Sequence, residues 1–149
     1  MKAFSFPLEK ILKLRTYREQ EAKIDLGRAI GVLTEIENRI RAVAEDRYRA
    51  AAERFAPDNG ALKIISYEHY IQRLDRARDQ LLEDAAQAEL VVEEKRNCYL
   101  EASRDRKVLD KLKEKREKEY RQEVFAGETK DLDDISGGKD ARMLASGDK

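Results

Sequence analysis

Apolar residues spaced alternately four and three positions apart are the feature that most constrains how this chain can fold. The first run comprises Ala22, Leu26, Ala29, Leu33, Ile36, Ile40 and Val43. The second comprises Tyr67, Ile71, Leu74, Leu81, Ala85, Ala88, Val92, Tyr99, Ala102, Leu109 and Leu112, with Arg78, Lys95 and Arg106 at the intervening positions. This spacing has the 3.5-residue period of a coiled coil, so each run forms one narrow stripe, or seam, along a helix. The sequence therefore predicts two long helices and no globular core.

A charged residue interrupts the first seam. Arg47 falls where the repeat calls for an apolar side chain, and apolar residues continue one position over, at Ala44, Tyr48, Ala51 and Phe55. A local change of winding shifts a coiled-coil seam in this way. This interpretation places Tyr48 and Phe55 on the seam.

One break separates the two seams. The stretch "FAPDNGAL" contains Pro57, which discourages helix before it, and the turn-forming pair Asn59-Gly60. We therefore predict an all-α fold, a long antiparallel two-helix coiled coil or helical hairpin. Its coiled coil occupies residues 1–126, with helix 1 at about 7–55, a turn at 56–61 and helix 2 at about 62–125. Residues 127–149 are glycine-rich with few apolar anchors, which predicts a flexible, disordered tail.

Charge and hydropathy exclude several classes of partner. The 31 Lys and Arg residues balance the 31 Asp and Glu residues, so no net field draws the molecule to nucleic acid. Acidic residues are also scattered through the most basic stretch, residues 104–121, where they would repel phosphates. No stretch approaches the roughly 20 apolar residues that span a bilayer, and Glu9 and Lys10 interrupt the opening apolar stretch. We predict a cytoplasmic protein without nucleic-acid binding or direct membrane insertion.

The sequence offers no converging groups for catalysis. His69 is the single histidine, and Cys98 has no CxxC partner. A metal site needs several ligands, and an activated thiol needs a neighbouring base, so neither residue makes a site alone. Phosphate-binding glycine loops are absent as well. We predict no catalytic, metal or cofactor site and no enzyme activity, with Cys98 as a half-buried structural thiol beside the seam.

Two apolar stretches exceed what a two-helix seam needs. The opening segment carries Phe4, Phe6, Leu8, Ile11, Leu12 and Leu14. These side chains either cover Leu109 and Leu112 of the longer second helix or enter a cavity in a larger assembly. Farther along, Tyr70, Leu74, Ala77 and Leu81 follow steps of four, three and four. They form either part of the packed seam or a partly exposed stripe available to a partner.

Three segments carry a resemblance to a known family. The opening "FSFPLEKILKLR", the "SYEHYIQRLDRA" that follows the turn, and "DRKVLDKLKEKREKEYRQE" leading into "KDLDDIS" resemble the FliJ family of flagellar export proteins over nearly the whole chain. The resemblance implies an antiparallel two-helix coiled coil similar to the central shaft subunit of rotary ATPases. It further implies a non-enzymatic cytoplasmic component of the flagellar type III export apparatus, peripherally associated with the inner face of the cell membrane at the flagellar base.

The resemblance also implies partners and contact residues, and no cofactor. The partners are the hexameric flagellar export ATPase, whose ring assembly the protein would promote, the cytoplasmic domain of the export-gate membrane protein, and flagellar export chaperones. Contacts to the gate fall on Tyr70, Leu74, Ala77 and Leu81, of which Leu74 and Leu81 are also seam positions. Contacts to the ATPase ring fall on Phe6, Leu8, Leu12, Arg15, Arg18, Lys111, Arg116 and Tyr120. The alternative is a generic coiled-coil adaptor or small helical chaperone unrelated to an ATPase.

Overall fold

Two long helices account for almost all of the structure. A computed structural model describes residues 2–147, with α1 at Glu9–Glu53 and α2 at Ala61–Ser146. The described residues are 90% helical, and the two helices pack against each other as a hairpin. This confirms the predicted all-α coiled-coil fold. By contacts, the chain divides into two compact units: Thr16–Ser103 forms one, and the described residues before and after it form the other.

The turn between the helices is closed by the side chain of Asn59. Its Nδ2 donates hydrogen bonds to the carbonyl oxygens of Glu53, the last residue of α1, at 2.8 Å and of Arg54, which follows it, at 3.2 Å. The carbonyl of Gly60 then accepts from the backbone amides of Lys63 and Ile64, each at 3.1 Å, and so begins α2. Helix ends leave such groups without intrahelical partners, and here the turn supplies them.

Burial confirms both seams over most of their length. Within residues 16–103, Ala29, Ile71, Leu74, Ala85, Ala88 and Val92 are buried, and the other predicted seam residues outside the stretch at 44–55 are half-buried. Many seam residues are alanine, which brings the helices close together but buries little apolar area per residue. Because of this, the hairpin depends on many modest contacts spread along its length.

The predicted shift of the seam at Arg47 is wrong. Tyr48 is 77% exposed and Phe55 is 67% exposed, whereas Ala50 is only 3% exposed. The seam instead keeps its step of four and three through Arg47, Ala50 and Arg54, with both arginines half-buried. Two charged side chains therefore occupy the seam itself.

Carboxylates on α2 form ion pairs with both of these seam arginines. Arg47 Nε lies 2.6 Å from Asp75 Oδ1, and Arg54 Nη1 lies 2.6 Å from Glu68 Oε1. Arg54 also places its guanidinium 4.5 Å from the ring centroid of Phe55. A half-buried charge is costly unless paired, and both arginines find an opposite charge across the helix interface. The end of the hairpin near the turn is thus held by polar as well as apolar contacts.

Acid should weaken the Arg47–Asp75 contact. The hydrogen bond from Arg47 is the main cause that lowers the pKa of Asp75, and the positive charges of Arg47 and Arg78 add to it. A lowered folded-state pKa means that this stabilisation is complete above the ordinary carboxyl pKa of about 3.9 and is lost as pH falls through the folded value. We expect Asp75→Asn to lower the melting temperature at pH 7, and the gap from the unmodified protein to close as pH falls through the lowered folded-state pKa of Asp75. A gap that stays constant across this range, measured by circular dichroism, would contradict the assignment.

The end of α2 differs from the sequence prediction. The helix continues to Ser146, about 20 residues beyond the predicted end near 125, so most of the predicted disordered tail is helical; residues 148 and 149 lie outside the described part. No proline interrupts this stretch, and a helix satisfies its backbone hydrogen bonds locally, so each glycine costs only about 1 kcal/mol. Every described residue from Phe125 onward is nevertheless exposed. This stretch is therefore helical without being covered by other described residues.

Candidate protein-binding surfaces

The first candidate surface, which we call the foot, consists of residues 2–15 and the part of α2 at 105–123. Phe6, Leu12 and Leu109 are buried together, and Phe4, Leu8 and Leu112 pack against them. Of the two alternatives for the opening segment, the structure shows the first, because these side chains cover Leu109 and Leu112. Four of the apolar side chains of the opening segment thus pack on α2, whereas Ile11 and Leu14 are exposed.

Polar contacts hold the extended opening segment on α2. The Tyr120 hydroxyl donates a hydrogen bond to the carbonyl of Lys2, and the Tyr120 ring lies 5.6 Å from that of Phe4. Lys113 Nζ is 2.9 Å from Glu9 Oε2. These contacts anchor residues that precede the first turn of α1, where no helical hydrogen bonds are available to order the backbone.

Arg15 makes a further contact inside the foot. Its guanidinium donates a 2.9 Å hydrogen bond to the backbone carbonyl of Asp105 on α2. A carbonyl inside a helix can accept a second hydrogen bond, so this contact does not break the helix. Arg15 therefore joins α1 to α2 and is less available to a partner than an exposed arginine.

The predicted ring-binding residues accordingly fall into two groups. Phe6 and Leu12 are buried, and Leu8, Arg15 and Tyr120 are half-buried and engaged within the chain. Arg18, Lys111 and Arg116 are exposed. The exposed residues are the most accessible to a partner. The first group positions the surface instead.

A groove of about 500 Å³ lies between the opening segment and α2. Its lining combines apolar groups with three charged residues: Ala3, Phe4, Ser5, Phe6, Pro7, Leu8, Leu112, Arg116, Glu119, Tyr120 and Glu123. Concave surfaces with an apolar floor and a few charges are suited to receive a side chain or loop of another protein. Arg116 is the one predicted ring-binding residue that is both exposed and part of this lining.

The second candidate surface is the stripe predicted to contact the export gate. Leu74 is buried and Leu81 half-buried, as their seam positions require, whereas Tyr70 and Ala77 are exposed. Tyr70 and Ala77 are seven residues apart and lie beside the seam on the same flank of α2. The Arg73 guanidinium lies 5.8 Å from the Tyr70 ring centroid. A shallow groove of about 260 Å³ beside this ring is lined by Lys63, Ser66, Tyr67 and Tyr70.

Some exposed apolar residues were not anticipated. Phe55, Leu62 and Ile65 are exposed around the turn, and Phe125, Leu132 and Ile135 along the end of α2. Continuing the repeat unchanged through Arg47 would have placed Phe55 outside the seam. For the end of α2, the available signal was the spacing of seven and three residues between Phe125, Leu132 and Ile135.

The reactive side chains lie at the surface. Cys98 is exposed, so the prediction of a half-buried structural thiol was wrong, because its position beside the seam falls outside the helix contact. His69 is exposed as well. Within residues 2–147, no helix is sufficiently long and apolar to cross a membrane.

Comparison with known proteins identifies the family. The family model described as "Flagellar FliJ protein" matches residues 4–141, which includes both helices and the foot. The chain belongs to the FliJ family. The predicted resemblance is thereby confirmed, and membership makes the chain a component of the flagellar protein export apparatus. No curated protein sequence and no solved structure matches the chain.

Proposed function

We propose that this FliJ-family protein docks by its foot into the hexameric flagellar export ATPase, promotes assembly of the ring and couples it to the membrane export gate. The observation that carries the proposal is the foot itself. The Phe6–Leu12–Leu109 cluster holds the opening segment on α2 there, while basic side chains remain exposed around it. Such a preorganised element docks without a further cost for ordering its backbone.

The mechanism is mechanical. A two-helix hairpin has no six-fold symmetry, so inside a hexameric ring it contacts only some subunits at a time. It shifts the conformations of those subunits when its affinity differs between their nucleotide states. Exposed charges such as Arg18, Lys111 and Arg116 suit this role, because polar contacts at a solvated surface are individually weak and exchange readily.

The ring interaction is tested with the purified hexameric export ATPase from the same organism. We expect the full-length protein to stimulate both ATP hydrolysis and ring assembly, and the triple variant Arg18→Glu, Lys111→Glu, Arg116→Glu to lose both effects. Deleting the opening segment is a poorer test, because it would also uncover Leu109 and Leu112.

The matched control reverses the charge of three exposed arginines elsewhere on the chain by replacing Arg28, Arg41 and Arg76 with glutamate. It introduces the same change of charge and should retain stimulation. A folded unmodified protein that leaves hydrolysis and assembly unchanged would refute the proposal in favour of the generic adaptor. Equal loss in both variants would show a nonspecific charge effect.

We further propose that Tyr70 and Ala77 contact the cytoplasmic domain of the export gate, with Leu74 and Leu81 supporting them from the seam. Exposure supports this division, since a partner can reach Tyr70 and Ala77 without opening the hairpin. This contact would place the protein at the inner face of the membrane through a protein partner. The same surfaces would be available to export chaperones.

Charged substitutions in the stripe should separate binding from folding. We expect Tyr70→Glu combined with Ala77→Glu to weaken gate binding by about tenfold or more, as loss of a central aromatic contact does. Helicity should be unchanged, because neither side chain is in the seam. Ile65→Glu combined with Leu82→Glu, also at exposed positions of α2, is the control. Calorimetric titrations in which both double variants bind like the unmodified protein would contradict the stripe.

A further inference from the structure

The last part of α2 carries an apolar stripe that no other described residue covers. Phe125, Leu132 and Ile135 are 72%, 66% and 58% exposed, although they recur at coiled-coil spacing. These positions lie outside the register of the hairpin seam and form a separate stripe, on a stretch of α2 that no other described residue covers. Exposed apolar stripes at this spacing are typical of helices that pair with a second helix.

Charged residues fill the remaining positions of this stripe in a self-complementary order. Along α2 the positions of this stripe are Phe125, Glu128, Leu132, Ile135, Lys139 and Arg142. Read in the opposite direction, Glu128 aligns with Lys139, Leu132 with Ile135, and Phe125 with Arg142. Within residues 2–147, Glu128, Lys139 and Arg142 form no ion pair or hydrogen bond through their side chains. Their charges are therefore available to a second chain.

We propose that the part of α2 beyond Phe125 forms an antiparallel two-stranded coiled coil with the same segment of a second copy of this protein. A two-fold axis between Leu132 and Ile135 generates every contact twice, as in an isologous dimer. Two leucines and two isoleucines form its centre, two Glu128–Lys139 pairs flank them, and Phe125 faces the Arg142 guanidinium at each end.

The charge order selects this arrangement over a parallel one. In a parallel pair, Glu128 would lie beside Glu128 and Lys139 beside Lys139, and like charges at adjacent seam positions are unfavourable. Gly138 lies next to this stripe, and a Cβ there would meet no atom of the same chain. In the dimer, the missing side chain allows the partner backbone to come close.

The interface is small and should be weak. Three apolar side chains per chain and two ion pairs must offset the loss of freedom on association and the low helix propensity of Gly137 and Gly138. We expect dissociation constants on the order of 100 µM. The proposal concerns the isolated protein and does not depend on the proposed contacts with the ATPase or the gate.

Sedimentation equilibrium of the full-length protein tests the dimer over about 10 to 500 µM. We expect the average mass to rise from monomer toward dimer with concentration. Glu128→Lys alone, or Lys139→Glu alone, should weaken association at least about tenfold, because each places two like-charged pairs in the interface. The double exchange restores opposite charges and should restore the dimer.

Mixing the two single variants gives a sharper result. The Glu128→Lys chain and the Lys139→Glu chain should form a heterodimer with each other while each alone stays monomeric. Asp134→Lys and Lys130→Glu carry the same charge changes on the opposite side of the helix and serve as controls that should still dimerise. A monomer at all concentrations would overturn the proposal, and so would association that is insensitive to Glu128→Lys or not recovered by the double exchange.

Discussion

Replacing Leu26, Leu33 and Ile40 with glutamine is expected to unfold the hairpin. All three lie on the seam of α1 and are half-buried against α2. Each replacement removes apolar contact and places an amide in the helix interface, at a cost of about 1.5–2 kcal/mol each. The sum is comparable to the 5–15 kcal/mol that holds an ordinary domain together, and isolated charged helices are only marginally stable in water. Circular dichroism at 222 nm should therefore show a large loss of helicity.

A control on the same helix uses the same chemistry at positions off the seam. Ile24, Ile30 and Val32 are exposed. Their replacement by glutamine should change stability by no more than about 0.5 kcal/mol each, and a solvent-exposed glutamine is no worse a helix former than a β-branched residue. If the seam variant retained its helicity, or if both triple variants melted alike, the assignment of the seam would be wrong.

Leu109→Ala is expected to have the largest effect of any single substitution in the foot. Leu109 is 6% exposed and packs with Phe6 and Leu12 where the opening segment crosses α2. Truncating a buried leucine removes transfer free energy and leaves a cavity, and such changes cost about 2–5 kcal/mol. We expect an effect toward the lower end of this range, because the opening segment can settle into the space left behind.

The neighbouring residue provides the control. Val108 is exposed, and Val108→Ala should alter the free energy of unfolding by less than about 0.5 kcal/mol. Urea unfolding measures both changes, and limited trypsin digestion at Lys10 and Lys13 reports whether the opening segment has detached. Equal stability and equal cleavage of the two variants would show that the cluster does not anchor the opening segment.

The two helices could be read from the sequence because their signal is local. The four-and-three spacing from Ala22 to Val43 and from Tyr67 to Leu109 repeats often enough to exclude strands and a globular core. Pro57 and Asn59-Gly60 mark the turn for equally local reasons. The family could be identified from the sequence as well, since it depends on the order of residues along the chain.

The seam near the turn could not be read in the same way. Arg47 looks like an interruption until Asp75 is known to lie 2.6 Å away on the other helix. No local property of α1 reveals that partner. Because an arginine is charged, its sequence position alone predicts an exposed side chain. Only a carboxylate on α2 allows that arginine to be half-buried in the seam. The misplacement of Tyr48 and Phe55 follows from this single missing contact.

Which candidate binding residues are accessible to a partner could not be read from the sequence either. Sequence position brought Tyr70, Leu74, Ala77 and Leu81 together as one stripe, but burial separates the two that a partner can touch from the two that hold the hairpin. In the foot, likewise, Phe6 is buried and Arg116 is exposed.

The sequence by itself thus determined the helices, their turn and the family, since each follows from spacing or order within the chain. The tertiary structure decided which side chains of a periodic pattern are free and which are engaged. That choice depends on what the other helix places opposite each residue, and a one-dimensional pattern does not contain that information.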